Sequence, residues 1–112
     1  MIWKNKLDLD SLNNISKNTM VQHLGIIFTE LTDDSITASM PVDYRTVQPM
    51  RILHGGASVA LAETLGSIAS YACVDHEESD VVGIEINANH LKAVREGTSN
   101  VYGVVSPIKL GP

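Results

Sequence analysis

Residues 53–74 read LHGGASVALAETLGSIASYACV, an almost unbroken run of small and aliphatic side chains. Within this run, apolar residues recur at the three- and four-residue steps of an α-helix, namely Val59, Ala62, Leu65, Ala69 and Ala72. The spacing predicts one long helix from Gly55 to Val74. Glu63 is the only carboxylate in it, and a carboxylate among apolar groups carries a large desolvation cost unless it is paired or used. We therefore expect a buried helix that carries one catalytic acid.

The start of this helix combines two glycines with unpaired backbone donors. Gly55 and Gly56 have no Cβ, so their N–H groups can come close to a ligand, and a helix N-terminus carries a partial positive charge. Such a group of donors is suited to an oxyanion or a polarised carbonyl. Further along, Glu63 and Ser67 are spaced i, i+4 and share a face. One helix thus offers a carbonyl-binding end and a face with an acid and a hydroxyl.

Gly55 and Glu63 are too far apart along one helix to act on the same carbonyl carbon. Eight residues correspond to a rise of about 12 Å, whereas a catalytic group must come within about 3 Å of the atom it acts on. A second copy of the helix, lying antiparallel, would bring Glu63 of one subunit to Gly55 of the other. The sequence therefore predicts a homodimer with shared active sites.

Two simpler interpretations of this helix stay open. Twenty mostly apolar residues satisfy the length of a membrane span, although Glu63 lies near the centre and the side chains are small rather than leucine-rich. Glu63 could instead be a structural acid that is satisfied by Thr64 or by a backbone group.

Two polar side chains, Gln48 and His54, precede the helix. An amide and an imidazole on the loop that leads to a helix N-terminus can orient a water molecule or bind a carbonyl oxygen, as hydrolysis requires. The simpler interpretation of His54 is a residue that caps the helix. Together with Gly55 and Glu63, the two side chains favour a hydrolytic site.

Several longer motifs point to one enzyme family. They are Gln48-Pro49, Leu53-His54-Gly55-Gly56-Ala57-Ser58, Leu61-Ala62-Glu63, Gly66-Ser67 and Gly83-Ile84-Glu85-Ile86-Asn87-Ala88-Asn89-His90, together with Met1-Ile2-Trp3-Lys4 and Met40-Pro41-Val42-Asp43. On these residues the chain resembles the hotdog-fold acyl-CoA thioesterases of the phenylacetate type. Within that family it is similar to the bacterial 1,4-dihydroxy-2-naphthoyl-CoA hydrolases of menaquinone synthesis.

The resemblance implies hydrolysis of an acyl-CoA thioester, with an aromatic acyl group, to the free acid and CoA. The N–H of Gly55 would polarise the thioester carbonyl with help from Gln48 or His54. Glu63 of the partner subunit would act as the general base for a water molecule or as the nucleophile. Ser67 would orient Glu63 or the water.

The two ends of the substrate have separate predicted sites. The acyl group would enter an apolar pocket lined by residues such as Val59, Leu65 and Met50. In the family that the chain resembles, the segment that carries His90, Lys92 and Arg95 lies near the phosphates of CoA, which need cationic partners. The alternative for these three residues is an ordinary solvated turn. Neither a resident cofactor nor a metal is expected, since CoA belongs to the substrate and the four histidines are scattered.

Two features depart from the family pattern. Met50-Arg51 stands where the family usually has Phe-Gly, which places a bulky cation near the predicted site. The family also continues past Leu110-Gly111 with two further strands. The sheet of this chain is therefore expected to lack its last two strands and to leave one edge uncovered.

The remaining segments predict an α+β hotdog fold, in which an antiparallel sheet wraps around the long central helix. The predicted elements are a short helix over Asp8–Ile15 and strands over Gly25–Leu31, Ser35–Met40, Val81–Ala88 and Val101–Ile108. In the second strand, Ser35, Thr37 and Ser39 alternate with apolar residues, which indicates one face open to water.

Composition limits the remaining possibilities. A chain of 112 residues has room for one domain, and a net charge of -5 without a Lys or Arg cluster argues against nucleic acid. Cys73 is the single cysteine, so it is expected to be a packing residue in a reducing cytoplasm. The first twenty residues lack the continuous apolar core of a signal peptide. We expect a homodimer, with pairing of dimers into a homotetramer as the larger assembly, and no membrane partner.

Two other functions of the same fold stay open, because a fold does not determine the chemistry. One is an acyl-thioester dehydratase, and the other is a binding module for acyl-CoA without catalysis. A dehydratase would rely on a His and an acid acting on a β-hydroxyl, whereas here Glu63 follows His54-Gly55-Gly56 in the thioesterase arrangement.

Overall fold

The computed structural model describes residues 7–73, 82–88, 94–97 and 100–110. Their elements are, in chain order, α1 (Leu9–Ile15), α2 (Met20–His23), β1 (Ile27–Leu31), β2 (Ile36–Met40), α3 (Gly55–Cys73), β3 (Val82–Ala88) and β4 (Val101–Leu110). The strands form one antiparallel sheet in the order β1-β2-β4-β3. Since α3 packs against β2, β3 and β4, the predicted α+β fold around one long helix is confirmed.

One face of α3 is buried against the sheet. Its buried apolar residues repeat at steps of three and four, and they are Ala57, Leu61, Leu65, Ala69 and Ala72. A Cβ added at Gly103 of β4 would lie 2.6 Å from Cδ1 of Leu65, so any other residue there would have to displace this buried side chain. Val59 was expected on this face but is 58% exposed. That prediction was wrong because Val59 precedes Leu61 by two residues, about 200° around the helix.

The strand β2 presents its apolar side chains to α3, as its alternation predicts. Ile36, Ala38 and Met40 are fully buried. Ser39 was expected on the face open to water but is only 5% exposed. In the sheet it lies between Ile27 of β1 and Tyr102 of β4, and these two large neighbours shield its small side chain.

The helix α1 begins as predicted, whereas α2 was not predicted. The carboxylate of Asp8 accepts a hydrogen bond of 2.7 Å from the N–H of Ser11, which makes Asp8 the N-cap of α1. Thr19 caps α2 in the same way, with its hydroxyl oxygen 3.2 Å from the N–H of Val21. A Thr followed three residues later by Gln22 is the capping-box pattern, which would have located this turn.

Candidate functional site

His54 caps the N-terminus of α3. Its Nδ1 accepts a hydrogen bond of 2.7 Å from the N–H of Gly56, and its carbonyl oxygen accepts from the N–H groups of Ala57 and Ser58 at 3.0 and 3.3 Å. Because Nδ1 is an acceptor, the proton of the neutral ring lies on Nε2. The ring is exposed, so Nε2 is available as a donor to a ligand.

The N–H of Gly55 is the open donor at this helix end. No hydrogen bond from it to any residue of the described ranges is present. A Cβ added at Gly55 would meet no described atom within 4 Å, so the space beside it is open. An unpaired N–H at the positive end of a helix is a suitable donor to a carbonyl oxygen or an oxyanion.

Gln48 is held in the turn before the helix. Its side-chain oxygen accepts from the N–H of Met50. Its carbonyl oxygen accepts from the N–H of Arg51 at 2.8 Å, and its own N–H donates to Ile52 at 2.8 Å. Within the described part of the chain, no hydrogen bond links Gln48 to His54 or Gly55, and its amide nitrogen is the group left to act as a donor.

Glu63 and Ser67 lie on the face of α3 that is turned away from the sheet. Both are exposed in the single chain, so the expectation that Glu63 is buried is wrong for one copy. The reason is its position in the helix, because Glu63 is two residues from both Leu61 and Leu65, which point into the core. The i, i+4 relation of Glu63 and Ser67 on one face is as predicted.

A shallow groove of about 640 Å³ follows this outer face. Its lining combines an acid, hydroxyls and small side chains: Val59, Ala62, Glu63, Gly66, Ser67 and Ser70. On the other flank, Glu63 and Ser67 also line a depression of about 310 Å³, together with Val21, Thr64 and Ile68. Glu63 and Ser67 therefore form a ridge between two hollows, and both hollows are open to an incoming ligand or chain.

The predicted acyl pocket is not formed by the three residues named for it. Leu65 is fully buried against the sheet, and Met50 is 79% exposed on the turn before the helix. Only Val59 lines the groove beside Glu63. The prediction failed because apolar character alone does not show whether a side chain faces the core or the site.

The predicted CoA-binding group is described only in part. His90 and Lys92 lie outside the described residues. Arg95 is exposed and forms an isolated β-bridge with Ile52. It therefore lies beside the loop that leads to His54, and the assignment of these residues to CoA stays a prediction.

The cation at Arg51 is paired. Its guanidinium donates to the carboxylate of Glu96, with Nε 2.9 Å from Oε1. A second pair joins Arg45 and Asp43, with Nη2 2.6 Å from Oδ2. Hydrogen bonding to Arg45 holds the pKa of Asp43 below its usual value, and the same contact raises the pKa of Arg45.

The described residues bear on two alternatives, a metal site and a membrane span. No group of three or more His, Cys, Asp or Glu residues there could hold a metal ion. None of the described helices has the length and hydropathy needed to cross a membrane.

Comparisons with known proteins agree with the motifs. Residues 50–112 match the family model described as the thioesterase superfamily. The chain is 52% identical over 111 residues to the 1,4-dihydroxy-2-naphthoyl-CoA hydrolase of Escherichia coli strain K12, which covers 99% of this chain and 79% of that protein. A solved thioesterase structure from Haemophilus influenzae matches with a TM-score of 0.81 and 48% identity over 99% of this chain and 76% of that one. A mutant thioesterase from Pseudomonas aeruginosa matches with a TM-score of 0.71 and 38% identity over 96% of this chain and 100% of that one.

Proposed function

The chain belongs to the thioesterase superfamily, and we propose that it hydrolyses 1,4-dihydroxy-2-naphthoyl-CoA at active sites shared between two copies. The thioester hydrolase class predicted from the sequence is confirmed with the family, and the acyl group is inferred from the relative in Escherichia coli. One observation carries the shared site: Gly55, whose N–H has no hydrogen bond to a described residue, and Glu63 are both exposed on one helix, eight residues apart.

The shared site follows from that separation. Eight helical residues span about 12 Å, so Gly55 and Glu63 of one chain cannot hold the same carbonyl group. An antiparallel pair of α3 helices, related by a two-fold axis, gives two sites that each combine Gly55 of one chain with Glu63 of the other. The small side chains Ala62, Gly66 and Ser70 beside the acid leave room for a close neighbour.

The proposed chemistry uses the groups that this geometry leaves open. The N–H of Gly55 donates to the thioester oxygen, and Nε2 of His54 and the side-chain nitrogen of Gln48 are the additional donors. Negative charge that develops on this oxygen in the transition state is thereby stabilised.

Glu63 of the partner subunit acts on the carbonyl carbon in one of two ways. As a general base it takes a proton from a water molecule whose oxygen bonds to the carbon. As a nucleophile its own oxygen bonds to the carbon, and water then cleaves the mixed anhydride. In both routes the C–S bond breaks and the CoA sulfur leaves as a thiolate. The proton released by the reacting water, which Glu63 holds in the general-base route, then converts the thiolate to the thiol and leaves Glu63 as a carboxylate. Ser67 orients the carboxylate or the water from one turn away.

In this proposal the phosphates of CoA bind His90, Lys92 and Arg95. Lys92→Ala and Arg95→Ala should therefore raise KM for CoA esters. The same variants should leave KM for pantetheine thioesters, which lack the nucleotide phosphates, unchanged.

The active unit is a homodimer that pairs into a homotetramer. A cytoplasmic location suits a chain with one cysteine.

Thiol release from a panel of aromatic and aliphatic acyl-CoA esters tests the function. The proposal predicts the highest kcat/KM for 1,4-dihydroxy-2-naphthoyl-CoA. It also predicts loss of nearly all turnover in Glu63→Ala, because an acid-base group contributes about a hundredfold or more, and a smaller loss in Ser67→Ala. Preference for aliphatic esters would contradict the substrate. Loss of a β-hydroxyl without thiol release would indicate a dehydratase, and tight binding without either reaction would indicate a binding module.

A further inference from the structure

Arg51 adopts a backbone conformation that favours glycine. Its φ is 63°, in the left-handed region, and among the described non-glycine residues only Asn18 shares a positive φ. A side chain with a Cβ is disfavoured there relative to glycine. The turn that contains Arg51 therefore needs contacts outside itself to keep its shape.

These contacts come from the segment at residues 94–97. Arg51 donates to Glu96 through two nitrogens, with Nε 2.9 Å from Oε1 and Nη2 2.5 Å from Oε2. The backbone adds two hydrogen bonds, from the N–H of Glu96 to Arg51 at 3.0 Å and from the N–H of Leu53 to Val94 at 2.7 Å. A two-point guanidinium–carboxylate contact fixes orientation as well as distance.

The Glu96 segment is itself tied to the body of the domain. Gly97 has a φ of 85°, and its N–H donates to the carbonyl oxygen of Val42 at 2.9 Å. This hydrogen bond fixes the backbone next to Glu96, so the carboxylate that binds Arg51 is held in place. On the other side, Arg51 is only three residues before His54, whose ring caps α3.

We infer that Arg51 and Glu96 are positioning residues, which set the His54 ring and the Gly55 N–H for the thioester carbonyl. This inference rests on the proposed function. The pair acts through the short stretch from Arg51 to His54 and touches no reacting atom. The contact between Arg51 and Glu96 holds the left-handed backbone conformation that a glycine would adopt at this turn without such a contact.

The pair is suited to affect turnover more than stability. The side chains of Arg51 and Glu96 are 59% and 33% exposed, and exposed ion pairs contribute little to the free energy of unfolding. Catalysis is more sensitive, because a misplacement of about 1 Å at a reacting group can lower the rate by about a hundredfold. A loss of turnover at constant stability is therefore the signature of positioning.

The experiment compares Glu96→Gln, Arg51→Gln and the charge-exchanged double variant Arg51→Glu with Glu96→Arg. We expect each single variant to lower kcat by about tenfold, with KM changed by less than about twofold. Melting temperatures should stay within about 2 °C of the wild type, and the exchanged pair should recover most of the lost kcat. Glu30→Gln is the matched control, because Glu30 is exposed on β1 and forms no ion pair with a described residue.

Each result separates the inference from the function on which it rests. Wild-type kcat in both single variants would contradict the positioning role, and so would a loss of kcat that the exchanged pair does not recover. In either case thiol release by the wild type would still support the proposed function. A fall in melting temperature without a change in kcat assigns the pair to stability alone and contradicts the inference. Absence of thiol release by the wild-type chain contradicts the proposed function, and the inference with it.

Discussion

Nδ1 of His54 accepts a hydrogen bond of 2.7 Å from the backbone N–H of Gly56. This contact satisfies one of the unpaired donors at the start of α3 and leaves the ring proton on Nε2, at the surface. Capping and catalysis were alternatives for His54 on the sequence alone. The geometry makes them compatible, because the two ring nitrogens serve different purposes.

Replacing His54 by asparagine should separate the two roles. Asparagine is a good N-cap, so His54→Asn should keep the stability of the chain, whereas His54→Ala should lose about 1 kcal/mol of unfolding free energy. Both variants lack the Nε2 donor and should lose turnover. Urea unfolding and thiol release on the same preparations check this. Full turnover in His54→Asn would show that the ring only caps.

Proline at position 55 should remove the open donor without breaking the helix. It has no N–H, and the first helical position is where proline is best tolerated. Gly55→Pro should therefore fold and melt near the wild type but lose about a hundredfold in kcat, which is the usual effect of removing one oxyanion donor. Gly55→Ala, which keeps the N–H, is the matched control for side-chain bulk. Equal activity of the two variants would exclude the Gly55 N–H from catalysis.

The left-handed backbone of Arg51 predicts an order of stability among its variants. Arg51→Gly and Arg51→Ala both lose the contact with Glu96, but only glycine adopts a φ near 63° without strain. Arg51→Gly should be more stable than Arg51→Ala by about 1 kcal/mol. Chemical denaturation of the two variants measures this difference. The opposite order would mean that the turn relaxes freely when the side chain is shortened.

The pairing of Asp43 with Arg45 predicts a loss of stability in acid. Hydrogen bonding to Arg45 lowers the pKa of Asp43 in the folded chain. The pair therefore stabilises the fold above the unfolded pKa of about 3.9, and this contribution is lost as the pH falls through the folded pKa. The gap between the unfolding midpoints of the wild type and of Asp43→Asn should narrow as the pH falls from about 5 to about 2. Arg45→Gln, which removes the cause of the shift, should behave like Asp43→Asn, and a constant gap over this range would contradict the assignment.

The helix and its start were predictable because their signals are local. The spacing of Leu65, Ala69 and Ala72 and the glycines at its start lie within one stretch, and α3 begins at Gly55 as predicted. That Glu63 and Ser67 share one face of the helix was also predictable, from their i, i+4 spacing. The exposure of that face was not, because the solvent around an outward side chain depends on whether a second chain covers it.

The contact between Arg51 and Glu96 had no local signal. The two residues are 45 positions apart, and the fold alone brings them together. The sequence predicts only a bulky cation near the site at Arg51, whereas the structure shows that this charge is paired with Glu96. The predicted acyl pocket failed for a related reason, since Leu65 and Val59 are both apolar but only Leu65 faces the core, whereas Val59 is exposed.

Mixing two inactive variants tests the shared site most directly. If Gly55 of one chain works with Glu63 of the other, a mixed dimer of Glu63→Ala and Gly55→Pro contains one intact site and one with both groups removed. Unfolding and refolding the two variants together in equal amounts should then recover about a quarter of wild-type turnover, because half of the dimers are mixed and half of their sites are intact. Each variant refolded alone should stay inactive. A mixture in verified exchange that remains as inactive as its parents would contradict the shared site.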